Sequence, residues 1–464
     1  MNPNPFQSNV QPTIPPAPTP DPDAIATASA PQTSIPPAPA PNSQSIPLEP
    51  IAPAFIPAPP PSSPQPAPTA ASPAASGKNH TDNRPTQYEP TTKSNFTCPF
   101  CLEDIHTSEL LYYCKECNDT YTTDEAKAAK KYRLVKRQYF CHGTNITGSR
   151  MCPNCEILAT QNNSLHLTRL VPAELIERSN EFRLCMTGYS ASGKTQYLTQ
   201  LLDHISKSPT PGVSNTRFID RQTRATRDAI RNKIFVEGKL TATPQGYLDP
   251  LLYDIDSRGK SNKSVFYDIS GENFTKNPDT LQDHVVQKCI WSSNNIILII
   301  DPTTLPGVQQ HPNVVELKQR SGQFAGGDTV DSLQDYINFI RENHPGKAGD
   351  KFLKKVNLAV VFTKMDLFYD DDDDDFHPIL KSESSHMTKK IFDIQEVEFV
   401  NREMKSWIES QGGELLVNAL ASYPSAKIFG VSSGSHDIAR DRGGRPRRLL
   451  DPYLWLLYQN GILN

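Results

Sequence analysis

The sequence predicts an α/β fold on a mostly parallel sheet, and three observations predict it. The first is an apolar run, Phe182-Arg-Leu-Cys-Met-Thr187, that ends in a glycine turn; Leu198, Leu201, Leu202 and Ile205 follow at helical spacing. The second is a pair of unbroken apolar runs, Asn295-Ile-Ile-Leu-Ile-Ile300 and Asn357-Leu-Ala-Val-Val-Phe362. Such runs belong to strands covered on both faces, as in a parallel sheet. The third is the helical spacing of Leu333, Tyr336, Ile337 and Ile340 between those two runs. Strands and helices therefore alternate.

In chain order, the first segment is an arm. Of the 42 prolines, 26 lie in the first 90 residues, among Ala, Ser and Thr. Residues 1–94 cannot bury enough apolar surface to offset their ordering entropy, so a disordered, partly polyproline-II arm is expected. A spacer is the favoured reading and a ligand for proline-recognising domains the lesser one.

Residues 95–165 read as a small zinc-binding module. They hold Cys98-Pro-Phe-Cys101, Cys114-Lys-Glu-Cys117, Cys141 followed by His142, and Cys152-Pro-Asn-Cys155. A C-x-x-C turn aims two thiolates at one ion, and two such turns complete a tetrahedral site of structural type. Seven cysteines make one such site and leave three, so a second ion would need His142, His106 or a partner. The pairing stays open. Between the pairs, Lys127, Lys130, Lys131, Arg133, Lys136 and Arg137 read as a solvated helix face, with nucleic-acid binding less favoured.

The third segment, 180–464, opens on Gly188-Tyr189-Ser190-Ala191-Ser192-Gly193-Lys194-Thr195, which matches G-x-x-x-x-G-K-[ST] at every fixed position. A strand, a glycine turn and a helix N-terminus build an anion cradle from inward-pointing N–H groups and the helix dipole. Gly188 and Gly193 permit close phosphate approach. Lys194 would reach the β- and γ-phosphates and the Thr195 hydroxyl would ligate Mg²⁺. The segment after this helix, with Arg217, Arg221, Arg224 and Arg227, reads as a first switch, and Thr241 and Thr243 are equal candidates for its Mg²⁺-contacting threonine. Ser264-Val-Phe-Tyr-Asp268-Ile-Ser-Gly271 is a strand ending in D-x-x-G, where Asp268 would hold Mg²⁺ through water and the Gly271 N–H would meet the γ-phosphate.

Thr363-Lys364-Met-Asp366 closes the Asn357 strand and is a variant of the N-K-x-D motif. A carboxylate there accepts from guanine N1–H and the exocyclic amine, and adenine offers neither donor. Asp366 would thus choose GTP over ATP, with the Lys364 stem on the base plane. Ser432-Ser433, after the strand from Lys427, would close over guanine O6. The acidic run Asp370–Asp375 reads as a solvated loop. Arg440, Arg442, Arg445, Arg447 and Arg448 precede an apolar helix over 449–457 expected on the sheet's flank.

Together these motifs resemble the TRAFAC class of P-loop GTPases. More narrowly they resemble the bacterial double-GTPase type of domain with an N-terminal zinc ribbon, through the cysteine pairs, Tyr267-Asp268-Ile-Ser-Gly271-Glu272 and Asp451-Pro-Tyr-Leu-Trp-Leu-Leu457. The resemblance implies a P-loop NTPase fold over 180–464 and a molecular switch or adaptor acting on partner proteins in conflict or defence systems. Its cofactors would be GTP, Mg²⁺ and Zn²⁺. Glu272 stands where many relatives carry the water-positioning glutamine, so slow hydrolysis is expected, with a cis arginine or a partner supplying charge.

Composition narrows the rest. A net charge of −4 gives no global case for nucleic acid or anionic membrane. No apolar run approaches the ~18 residues of a membrane span. No signal peptide is read, and nine cysteines without a disulfide pattern suit a reducing compartment, so a cytoplasmic protein is expected. Two rivals stand beside the switch: a non-hydrolysing GTP-sensing scaffold, and a zinc-ribbon nucleic-acid-binding protein regulated by nucleotide.

Overall fold

The computed structural model describes residues 95–114, 119–122, 132–135, 138–141, 144–145, 150–155, 170–177, 181–189, 191–207, 210–235, 249–271, 281–321, 329–369, 376–421, 423–434 and 446–463. All of them fall within one unit, Arg84–Asn464. The arm expected over 1–94 lies outside the described residues.

Seven strands make the central sheet: β1 (Glu181–Gly188), β2 (Asn215–Phe218), β3 (Leu251–Ser257), β4 (Lys260–Ser270), β5 (Asn295–Ile300), β6 (Asn357–Phe362) and β7 (Ala426–Gly430). Their order is β2-β3-β4-β1-β5-β6-β7. From β4 to β7 every pairing is parallel, while β2 and β3 extend one edge antiparallel. The mostly parallel α/β fold is therefore present.

Strand periodicity divides the core into two faces. Phe182, Leu184, Met186 and Phe266 share one cluster with α1 (Lys194–Lys207) and α6 (Asp451–Gln459). Cys185, Val265, Tyr267 and Ile269 share the other with α3 (Leu281–Trp291) and α4 (Thr329–Asn343). Helix α1 buries the stripe Tyr197, Leu198, Leu201, Leu202 and Ile205. In α6 every residue from Asp451 to Leu457 is buried; Pro452 to Leu457 are apolar all round, and Asp451 is ion-paired to Arg448 at 2.7 Å. Each large side chain so buried contributes about 1.5–3 kcal/mol of transfer free energy.

Two further helices flank the ends: α2 (Arg221–Phe235) beside the antiparallel edge, and α5 (Ile394–Ser410) on β7. Among the described residues no helix is long and apolar enough to cross a membrane.

The cysteine-rich segment is built from short strands. Asn95–Thr97 pairs antiparallel with Asp104–His106 across the Cys98–Cys101 turn. Leu111–Cys114 joins Asp119–Tyr121, Arg150–Met151 and Leu170–Val171 in a small sheet. The basic run expected on a helix is, where described, a hairpin: Tyr132–Val135 pairs with Gln138–Cys141. The aromatic and branched residues concentrated here (Tyr132, Leu134, Val135, Tyr139, Phe140) favour a pleated strand over a helix. Phe96, Ile105 and Leu110 belong to the same core cluster as Val285, Cys289 and Ile290 of α3. This segment borrows its hydrophobic core from the sheet.

Candidate functional site

The loops of interest all leave one edge of the sheet. Gly188 ends β1, Asp268 lies two residues before the end of β4, Asp301 follows β5, Thr363 follows β6 and Ser432 lies just past β7. Register aligns them: Gly188 pairs with Ser270, Met186 with Asp268, Ile300 with Phe362, and Phe362 with Gly430. β1 has β4 on one side and β5 on the other, and the helices that follow β1 and β4 pack on opposite faces. That geometry opens a crevice at the carboxyl ends of the strands, where open α/β sheets bind ligands.

The phosphate loop is shaped by close approach. Ala191 and Gly193 have φ of 63° and 87°, which turns the backbone tightly into α1. A Cβ on Gly271 would stand 2.8 Å from the Gly188 carbonyl carbon and 2.9 Å from the Tyr189 nitrogen, so the D-x-x-G turn lies directly on the phosphate loop. Ser190 lies outside the described residues. Lys194 begins α1, is 4% exposed and forms an ion pair with Asp268. A buried ammonium requires such a counter-charge. Thr195 follows in the first helical turn. The Thr195 hydroxyl and Asp268 carboxylate are the hard oxygen donors that Mg²⁺ takes, so these residues fit that ion.

On the base side, the Ser432 hydroxyl donates to Asp366 Oδ1 at 2.9 Å and holds the carboxylate that would read the base edge. The loop carrying Ser432 and buried Ser433 is clamped by a bridge to Arg447, with bonds of 3.0 and 2.9 Å. Lys364 takes a left-handed conformation (φ 56°), and its Nζ donates to the Ala191 carbonyl at 2.8 Å and to Asp301 Oδ2 at 2.6 Å. Its stem thus spans from the base loop to the phosphate loop. The Thr363 hydroxyl donates to the Ser192 carbonyl.

Two aspartates, Asp301 and Asp335, went unread in the sequence. Asp301 orients Lys364 while also accepting from Thr303 N at 3.0 Å; its position after a buried strand was the available signal. Tyr189 donates its hydroxyl to Asp335 on α4, a tie between segments 146 residues apart that no local pattern reveals.

The arginine-rich segment is placed away from the phosphates. Arg217 pairs in register with Asp254, Asp254 with Lys263, and Lys263 with Glu181. Glu181 is the far end of β1, about 23 Å from Gly188 at ~3.3 Å per residue. Arg217 is ion-paired to Asp254 at 2.6 Å. Arg227 and Arg231 reach Asp203 at 3.6 and 3.2 Å, about 14 Å down α1 from Lys194 at ~1.5 Å per residue. Residues 215–235 form an edge strand and a helix, not a loop over the phosphates, because β2 hydrogen-bonds to β3 instead of crossing the crevice. Thr241, Thr243, Glu272, the Asp370–Asp375 run, Arg440, Arg442 and Arg445 lie outside the described residues.

Among the cysteines, the first and last pairs meet. Cys98 and Cys155 are 3.6 Å apart at sulfur, as are Cys101 and Cys152, and all four are buried with their ligand atoms within 4.8 Å of one another. Sulfurs around one zinc at ~2.3 Å stand about 3.8 Å apart, so the four fit a tetrahedral Zn²⁺. Burial pushes the Cys98 thiol up, which a cation would reverse. Cys114 and Cys141 end strands whose side chains are outside the described set, as are Cys117 and His142. His106 is not at the cluster; its ring caps a short turn, accepting from Ser108 N at 3.3 Å.

Fold and loops together define a P-loop α/β protein with an adjoining four-cysteine cluster. The family model for the double-GTPase 2 domain matches residues 184–421, and the chain belongs to that family. That span holds the phosphate loop's Lys194, the D-x-x-G turn and Asp366; Ser432 and α6 lie beyond it. Among solved structures, the RocCORdC fragment of Methanosarcina barkeri Roco2 bound to GDP is similar at 13% identity and a TM-score of 0.25. The match covers 60% of this chain and 50% of that one, so this chain spans about half its length. No curated protein matches the chain significantly.

Proposed function

We propose that the protein is a GTP-binding switch that hydrolyses GTP slowly and acts through partner proteins. One observation carries the reading: the loop holding Asp366 and the loop holding Lys194 share one edge and are bonded to each other through Thr363 and Ser192. A guanine held at Asp366 and Ser432 would therefore place its phosphates on 188–195. Lys194 would exchange part of its contact with Asp268 for phosphate oxygens, and the Gly271 N–H would sit at the γ-phosphate side. Bound Mg²⁺, held by Thr195 and Asp268, would neutralise charge on the β- and γ-phosphates. In hydrolysis water attacks the γ-phosphorus, the β–γ bridging P–O bond breaks and GDP leaves with the electron pair.

A competition titration of the purified chain tests the reading: GTP should displace a fluorescent GDP analogue and ATP should not. Equal affinity for ATP would overturn the guanine assignment. A second reading, a GTP-sensing scaffold that does not hydrolyse, is favoured by the placement of Arg217, Arg227 and Arg231 at the far end of the sheet. A single-turnover assay with γ-labelled GTP separates the two. The bacterial conflict-system setting rests on the sequence resemblance, and a cytoplasmic location on the reduced cysteines.

A further inference from the structure

Strands β1 and β4, which end in nucleotide loops, and helix α3 each send one side chain to the turn bearing Cys98 and Cys101. Arg183, on β1, donates to the Thr97 carbonyl at 3.3 Å and is itself fixed by two bonds of 3.0 Å to Glu181. Tyr267, on β4 and adjacent to Asp268, donates its hydroxyl to the Pro99 carbonyl at 3.1 Å. Lys288, on α3, forms an ion pair with Glu103. Thr97, Pro99 and Glu103 bracket a turn whose backbone is closed by Cys98 N to Glu103 O at 3.0 Å and Leu102 N to Cys98 O at 2.9 Å.

The tyrosine bond has the shortest route to the nucleotide. Tyr267 is 2% exposed, and its hydroxyl spends its proton on the Pro99 carbonyl. Adjacent strand residues face opposite ways. Tyr267 therefore faces the cysteine turn while Asp268 faces Lys194. The turn cannot shift at Pro99 without straining the residue next to Asp268.

We infer that the cysteine cluster braces the nucleotide site: zinc on Cys98, Cys101, Cys152 and Cys155 fixes the turn and, through Tyr267, the position of Asp268. The inference rests on the GTP-binding reading and deepens it, because it couples zinc occupancy to nucleotide affinity. Tyr267 is a positioning residue that touches neither ligand. Such coupling is reciprocal, so nucleotide must also tighten zinc.

The test uses the full chain purified with its metal. Zinc release to a colorimetric chelator is timed with and without saturating GTP and Mg²⁺. Nucleotide is expected to slow release about fivefold or more. Tyr267→Phe keeps all four cysteines and removes one hydroxyl; it should erase most of that slowing and weaken GTP by a similar factor while unfolding stays cooperative. Lys194→Ala, which cannot hold nucleotide, should show no slowing. Should Tyr267→Phe fail to fold, the wild-type release rates still decide. Wild-type protein that binds GTP yet releases zinc at one rate throughout overturns the brace, as does Tyr267→Phe with full slowing or a purified chain without zinc. Wild-type protein that binds no GTP overturns the underlying reading instead.

Discussion

Thr363 donates its hydroxyl to the Ser192 carbonyl across 2.5 Å, so the loop that would read the base is bonded to the loop that would hold the phosphates. The same oxygen lies 3.2 Å from where a Cβ on Gly193 would stand, so the side chain fills the space between the two loops. Threonine in place of the usual asparagine therefore still has a donor in the needed place. Thr363→Val keeps the shape and removes that donor. It should weaken GTP about fivefold, the worth of one hydrogen bond of ~1 kcal/mol. Thr363→Asn should retain affinity, and titration with a fluorescent GTP analogue reads both.

Base choice should follow Asp366. Asp366→Asn replaces an acceptor pair with one acceptor and one donor, so GTP should weaken by roughly tenfold or more, since hydrogen bonds to a charged group contribute about 1.5–3 kcal/mol. Xanthine nucleotides, which present an acceptor where guanine has its amine, should be discriminated against less. Parallel competition with GTP, XTP and ATP checks both statements.

Hydrolysis should not depend on the arginines of 217–231. Arg217→Ala should lower stability by no more than about 1 kcal/mol, since the arginine side of the pair is exposed, and leave single-turnover GTP cleavage unchanged. Arg227→Ala should behave alike. Lys194→Ala should abolish nucleotide binding. A rate that collapses in Arg217→Ala would show that the edge strand leaves the sheet to reach the phosphates.

Metal analysis should find at least one zinc per chain, held by Cys98, Cys101, Cys152 and Cys155. Replacing Cys98 and Cys152 together should lower the melting temperature of the whole chain rather than of residues 95–165 alone. The shared core of Phe96, Ile105 and Leu110 with α3 is the reason. A two-step melt, with an unchanged upper transition, would contradict that core.

Acid should weaken the base-loop side. Burial alone would raise the Glu396 carboxyl, but bonds from Ser385 at 3.0 Å and Arg448 at 2.9 Å outweigh it and hold the group below its ordinary value. The unfolded chain then binds the proton more tightly. The stabilisation is complete above about pH 4.5 and is lost as pH falls through the folded value. Glu396→Gln should melt lower at neutral pH and lose less stability on acidification. Thermal melts between about pH 7 and 3 would show the two curves converging.

The sequence by itself determined the fold class and the motif that closes each strand. Buried strands declare themselves by continuous apolar runs, and a phosphate cradle or base-reading carboxylate is encoded in residues a few positions apart. Gly188 to Thr195 and Thr363 to Asp366 are of this local kind. The tertiary structure decided the relations between distant segments. Cys98 and Cys155 are 57 residues apart, and only folding brings their sulfurs to within 3.6 Å. Strand order sends the arginines to the end of the sheet opposite the phosphate loop, although four of them crowd the sequence just after the phosphate-loop helix. The same order puts Tyr267 against the turn bearing Cys98 and Cys101, and Asp268 against Lys194. Strand pleat supplies the physical reason, since adjacent side chains on a strand face opposite ways, and no spacing along the chain says which neighbours wait on either face.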